Sequence, residues 1–201
     1  MENAAVGFRV HSGWAAAVVV CGPPREPFVA DRRKIQLVHE FSYAYRQPYH
    51  TAEKMPRKDG TKFIARVQSE AKRLARSSLR ALEKELAARD CKIVRSALLL
   101  ASGRTLPELD KILASHALIH TADGELFRDG LRAACALCDL PMEGIREKEL
   151  FATASKELGV EVAALQHRLT ALGKGLGPPW SQDEKFPALG AWLTLARQAI
   201  R

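Results

Sequence analysis

Aromatic residues are scarce in this chain, at 6% of its 201 residues, and no apolar run is long enough to cross a bilayer. A membrane-spanning helix is therefore not expected. The one candidate for a secretory signal, Trp14 to Cys21, covers eight residues, follows Glu2, and has the large Val20 where a small residue would precede cleavage. It reads as a strand, and the cytoplasm is the expected compartment. Cysteine is also sparse. Cys21, Cys91, Cys135 and Cys138 have no spacing that suggests a disulfide framework. Cys135 and Cys138 form a lone Cys-x-x-Cys inside a helical pattern, with no second pair to complete a zinc site; they read as small core residues. No P-loop, dinucleotide fingerprint, Gly-x-Ser-x-Gly or His-Glu-x-x-His motif occurs, so a nucleotide cofactor is not expected.

Positive charge is abundant. The formal net charge is +8, which favours an anionic partner such as DNA or RNA, or an acidic protein. Hydrophobic residues make up 47% of the chain, enough to build a core without disulfides or a structural metal.

Strand signals dominate the first 40 residues: Ala4 to Val10, Trp14 to Cys21 and Phe28 to Val38, separated by Ser12-Gly13 and Gly22-Pro23-Pro24. Tight turns between them predict an antiparallel meander. Residues 41–60 hold Tyr43, Tyr45, Pro48, Tyr49, His50, Pro56 and Gly60 without a period, and read as a long loop. Helical spacing then runs from Thr61 to Asp90, and Ile93 to Ala101 reads as a buried strand. A helix is expected from Leu106 to about Asp139, a short strand over Met142 to Arg146, and a helix over Lys148 to Lys174 broken near Gly159. A Gly/Pro loop at 173–181 precedes a closing helix from Asp183 to Arg201, in which Pro187 marks a kink or the true start. The whole of 1–201 is expected to form one α/β domain: a mixed five-stranded sheet, three antiparallel strands then alternating helices and strands, with helices on both faces.

This order resembles the ribonuclease H-like superfamily, and within it the Holliday-junction resolvase branch. The stretch Gly7-Phe8-Arg9-Val10-His11-Ser12-Gly13-Trp14-Ala15 is similar to the branch's opening strand, turn and second strand. Ala97 to Ser102 falls at its central strand, Leu113 to Cys135 at the following helix, and Asp183 to Trp192 at its C-terminal acidic helix. The resemblance implies divalent metals held by carboxylates from the first strand, the end of the central strand and the last helix. In this chain the first-strand position falls nearest Arg9, a cation. The central strand ends in Ala101-Ser102-Gly103-Arg104 without an acid, and only Asp183 and Glu184 match the third corner. One acidic corner cannot hold two hard cations. The expectation is a ribonuclease H-like fold without a full metal site, acting as a non-catalytic nucleic-acid or protein-binding module.

Two constellations suggest where it would act. Lys62, Arg66, Arg73, Arg76, Arg80 and Lys84 fall within an arc of about 80° on the Thr61–Asp90 helix, opposite its apolar stripe. Such a ridge suits a phosphate backbone or a solvated outer face. His116, His120 and Asp123 stand at i, i+4 and i+7 on one helix face. They suit either a core pairing, since Leu109, Leu113, Phe127 and Leu131 share the face, or the site of a hydrolase or metal-dependent enzyme completed by His11 or Glu184. Ser181-Gln182-Asp183-Glu184 also fits a capping box, which competes with a ligand role for its acids.

Overall fold

The computed structural model describes residues 1–101 and 105–199. Strands β1 (Glu2–His11), β2 (Trp14–Cys21) and β3 (Phe28–Gln36) form the meander. Two short helices follow, α1 (Tyr43–Arg46) and α2 (Pro48–Ala52), and then the long helix α3 (Arg57–Ala87). Strand β4 (Cys91–Leu100) leads to α4 (Leu109–Leu113) and α5 (His116–Leu137). Strand β5 (Met142–Arg146), a 3-10 turn at Glu147–Glu149, α6 (Leu150–Leu158), α7 (Val162–Leu172) and α8 (Gln182–Ala199) complete the described chain.

The sheet order is β3-β2-β1-β4-β5. The meander pairs are antiparallel, whereas β1–β4 and β4–β5 are parallel. This is the mixed five-stranded sheet expected from the sequence. Alternation along β1 sorts side chains to two cores. Ala4, Val6 and Phe8 join Leu79, Leu82, Phe127 and Leu131 under α3 and α5. Ala5 joins Leu150, Leu165, Leu189 and Trp192 under α6, α7 and α8. Helices thus cover both faces.

Several expectations are corrected. The long loop at 41–60 contains α1 and α2, and α3 begins four residues before Thr61. Pro48 opens α2, where its missing N–H costs nothing. The helix expected from Leu106 to Asp139 is two helices, broken at Ala114–Ser115, with Ser115 extended at φ −138° ahead of α5. Pro187 does not mark the start of α8, which begins at Gln182, but lies inside it. The break at Gly159 is as expected, the residue taking φ 63° to end α6. The cysteine spread predicted no disulfide framework; the sulfurs of Cys21 and Cys91 nevertheless meet as one bonded pair, with Cα atoms 7.5 Å apart, while Cys135 and Cys138 are free and buried as expected. The Ser102-Gly103-Arg104 segment falls outside the described residues. Among the described residues no helix is long and apolar enough to cross a membrane.

Candidate functional site

The C-terminal ends of the three parallel strands β1, β4 and β5 lie side by side, the usual place for a site in an α/β sheet. Strand parity sends Arg9, two residues beyond Gly7, to the α8 face. Gly7 is required there, because a Cβ would overlap the Pro187 carbonyl of α8. That close approach brings the first turn of α8 beside Arg9.

Arg9 fills the centre of this corner. Its Nε and Nη2 donate to the two oxygens of Glu147 at 3.1 and 2.7 Å, a bidentate fork, and its Nη1 donates to Asp183 Oδ1. His11 Nε2 stands 2.9 Å from the same Asp183 oxygen, off the line of a hydrogen bond. The Phe186 ring covers the guanidinium with its centroid 5.5 Å away. The hydrogen bond that Arg9 donates to Glu147 raises the Arg9 pKa above its ordinary value, outweighing the opposing cost of burial. The cation is permanent.

The divalent metals implied by the resemblance do not fit this donor set. Both Glu147 oxygens and one of Asp183 are bonded to a fixed cation, and an ion placed among them would meet the guanidinium's charge. Glu184, the second predicted acid, turns away: its Oε2 accepts from Ser181 N–H at 2.7 Å and from Ser181 Oγ–H at 2.9 Å, while Asp183 N–H donates to Ser181 Oγ at 3.1 Å. The capping box forms and occupies Glu184. Glu147 was not anticipated from sequence. Its only signal is an acid immediately after a strand that runs parallel to the Arg9 side of the sheet.

Beside this corner a cavity of about 450 Å³ is lined by Trp14, Arg32, Lys34, Pro179 and Asp183, among others. Arg32 donates to the carbonyls of Leu176 and Pro178 at 2.6 and 3.2 Å, and also to that of Pro179, tying the Gly/Pro loop to β3. Lys34 Nζ lies over the Trp14 and Phe41 rings at 4.4 and 5.0 Å, and His11 stacks on Trp14. The sequence reading missed this aromatic–cation group because its members come from β1, β2, β3 and the segment before α1.

The basic ridge is formed as expected. Lys62, Arg66, Arg73, Arg76, Arg80 and Lys84 are all exposed on α3, while Ile64, Val67, Ala71, Ala75, Leu79, Leu82 and Leu86 are buried. From Lys62 to Lys84 the ridge spans about 33 Å at the helical rise. Arg66 is held by the Tyr45 hydroxyl at 2.8 Å, and Arg80 pairs with Glu83 at 3.3 Å. Lys62, Arg73, Arg76 and Lys84 make no ion pair among the described residues.

The histidine face differs from either sequence reading. His116 and His120 are exposed, not core, and Asp123 is turned inward at 3% exposure. Asp123 Oδ1 accepts from Tyr49 N–H at 2.7 Å, and its Oδ2 pairs with His50 Nδ1 at 2.5 Å. Burial pushes the Asp123 carboxyl up, opposed by the hydrogen bonds from Tyr49 and His50. The same burial, with the Asp123 charge, raises the Tyr49 phenol. This group lies on the α5 side of the sheet, whereas Arg9, His11, Asp183 and Glu184 lie on the α8 side. The structure therefore does not bring the histidines together with His11 or Glu184 in one pocket.

No family model and no curated protein matches the chain. Solved structures do. Thermus thermophilus RuvC in complex with a Holliday junction substrate matches over 98% of this chain and 95% of its own, with a TM-score of 0.53 and 8% identity. A second structure of Thermus thermophilus RuvC matches over 98% and 96%, with a TM-score of 0.50 and 10% identity. Near-complete coverage in both directions, on the β3-β2-β1-β4-β5 sheet, establishes that this chain has the ribonuclease H-like fold of RuvC.

Proposed function

We propose that this chain is a non-catalytic ribonuclease H-like domain that binds nucleic acid through the basic face of α3. The observation that carries the first half is Arg9, whose guanidinium bridges Glu147 and Asp183 where a nuclease of this fold would hold its ions. Hydrolysis by two metals needs free carboxylate oxygens and an open position for water. Here the oxygens are neutralised from within the chain.

The second half rests on the α3 ridge and the net charge of +8. Like charges along one face repel, and a phosphate backbone relieves that repulsion while releasing counterions. The RuvC neighbour was solved with a Holliday junction, which makes branched DNA a suitable first probe. The enzyme reading built on His116, His120 and Asp123 with His11 or Glu184 has no shared pocket to support it.

The test is fluorescence anisotropy with a labelled four-way junction, a duplex and a single-stranded RNA, across a salt series. Six phosphate contacts predict a slope of log K on log salt of about −5, or roughly a thousandfold loss between about 50 and 200 mM salt. Charge reversal in R73E/R80E should reduce the slope to about −4 and weaken binding at least about tenfold. Unchanged binding in that variant would sink the interface. Magnesium- or manganese-dependent cleavage abolished by E147Q/D183N would overturn the non-catalytic half.

A further inference from the structure

Three imidazoles from two helices converge at one spot. His116 and His120 stand one turn apart on α5, with ring centroids 4.5 Å apart and Nε2 atoms 3.0 Å apart. His50 comes from α2, with its ring centroid 5.3 Å from His116 and 4.4 Å from His120. Each offers one nitrogen within 4.8 Å of the other two.

The carboxylate behind His50 makes this a built arrangement. His50 is 8% exposed and Asp123 3%. The 2.5 Å contact from His50 Nδ1 to Asp123 places the ring proton on Nδ1, leaving Nε2 as the free ligand atom. Tyr49 N–H, donating to the other oxygen, holds the carboxylate in place. Metal-binding histidines are oriented in this way, by a hydrogen bond from the second ring nitrogen to a carboxylate.

We propose that His50, His116 and His120 bind one transition-metal ion of the zinc class, with Asp123 as the positioning residue for His50. At nitrogen–metal distances of about 2.0–2.1 Å, a tetrahedral site spaces its nitrogens about 3.3 Å apart. The His116–His120 separation is already close to that edge, and rotation of these two exposed rings closes the remainder. Three imidazoles select zinc, cobalt, nickel or copper over magnesium and calcium, which take oxygen ligands. With His116 and His120 exposed, solvent can reach the ion and would supply a fourth ligand. The ion would also clip α2, which supplies His50, to α5. This site lies on the opposite side of the sheet from Arg9 and does not depend on nucleic-acid binding.

The test uses the full chain after treatment with a chelator. Zinc affinity is measured by competition with a chromophoric chelator, and geometry by the visible absorption of the cobalt form. One equivalent of zinc should bind, cobalt should give the intense bands of a tetrahedral site, and Tm should rise by about 5–10 °C with free zinc a hundredfold above Kd. H116A and H120A change exposed residues, so they should keep the wild-type circular dichroism and lose binding at least about a hundredfold, as expected for removal of a direct ligand rather than of an outer-shell group. D123N should fold, bind zinc about 10–100-fold more weakly and shift the cobalt spectrum, effects that a merely structural role would not produce. H167A, distant in sequence and outside the cluster, should bind as wild type. Absence of zinc binding by the wild-type chain, or unchanged affinity in H120A, would overturn the site. Unchanged affinity and spectrum in D123N would overturn the role given to Asp123.

Discussion

Replacing Arg9 by methionine tests what the guanidinium contributes to the corner it shares with Glu147 and Asp183. The R9M side chain keeps an apolar stem against Phe186 but removes the charge, leaving Glu147 and Asp183 facing one another. The side chains of Arg9, Glu147 and Asp183 retain 20%, 33% and 30% of their exposure, so solvent screens them in part. Removing one partner of a fully buried pair costs about 3–5 kcal/mol, whereas an exposed pair is worth about 0–1 kcal/mol. The intermediate exposure sets the loss at about 1–3 kcal/mol. For a chain of this size each kcal/mol moves Tm by about 2–4 °C, so R9M should melt about 2–12 °C lower at neutral pH. The loss has a pH signature. In strong acid carboxyl groups are protonated, so the wild type has no ion pair here to lose and the deficit should shrink. Thermal scans by circular dichroism at acid and neutral pH measure both effects. A neutral-pH Tm equal to wild type, or a deficit of the same size in acid, would refute the reasoning.

Two further outcomes follow from packing. G7A places a Cβ against the Pro187 carbonyl, so β1 and α8 must separate; chemical denaturation should show a loss of about 1–3 kcal/mol or more. Burial pushes the Cys135 thiol up to about 12, so in the native state it should resist alkylation at mildly basic pH and react only after unfolding, as read by mass spectrometry. Rapid native labelling of Cys135 would contradict its place in the core.

Much of the fold was legible because its strands bury simple patterns. Trp14 to Cys21 and Met142 to Arg146 are strands over the expected residues, and the apolar stripe of α3 implied its basic opposite face. Residues 41–60 misled because α1 and α2 span four and five residues, too few for a period to show. The break before α5 went unseen because apolar spacing continues through Leu113 and Leu118 on either side of it. The site was legible only where its members are neighbours in sequence. His116 and His120 are one turn apart, but the third imidazole, His50, lies in a segment that looked like loop. Asp123, at i+7, looked like a fellow ligand; burial makes it the partner of His50 instead. Arg9 marked the missing acid, yet its bridge to Glu147 across 138 residues is a product of the parallel sheet.

The Arg9 bridge also changes what can regulate this end of the sheet. A diffusible ion comes and goes with its concentration, and a chelator removes it. A guanidinium on β1 is tethered within bonding distance of Glu147 and Asp183, at an effective concentration that no solution ion matches. Its occupancy is set once, on folding, and cannot be titrated away by metal supply. The ion pairs make this corner a permanent joint between β1, the end of β5 and α8.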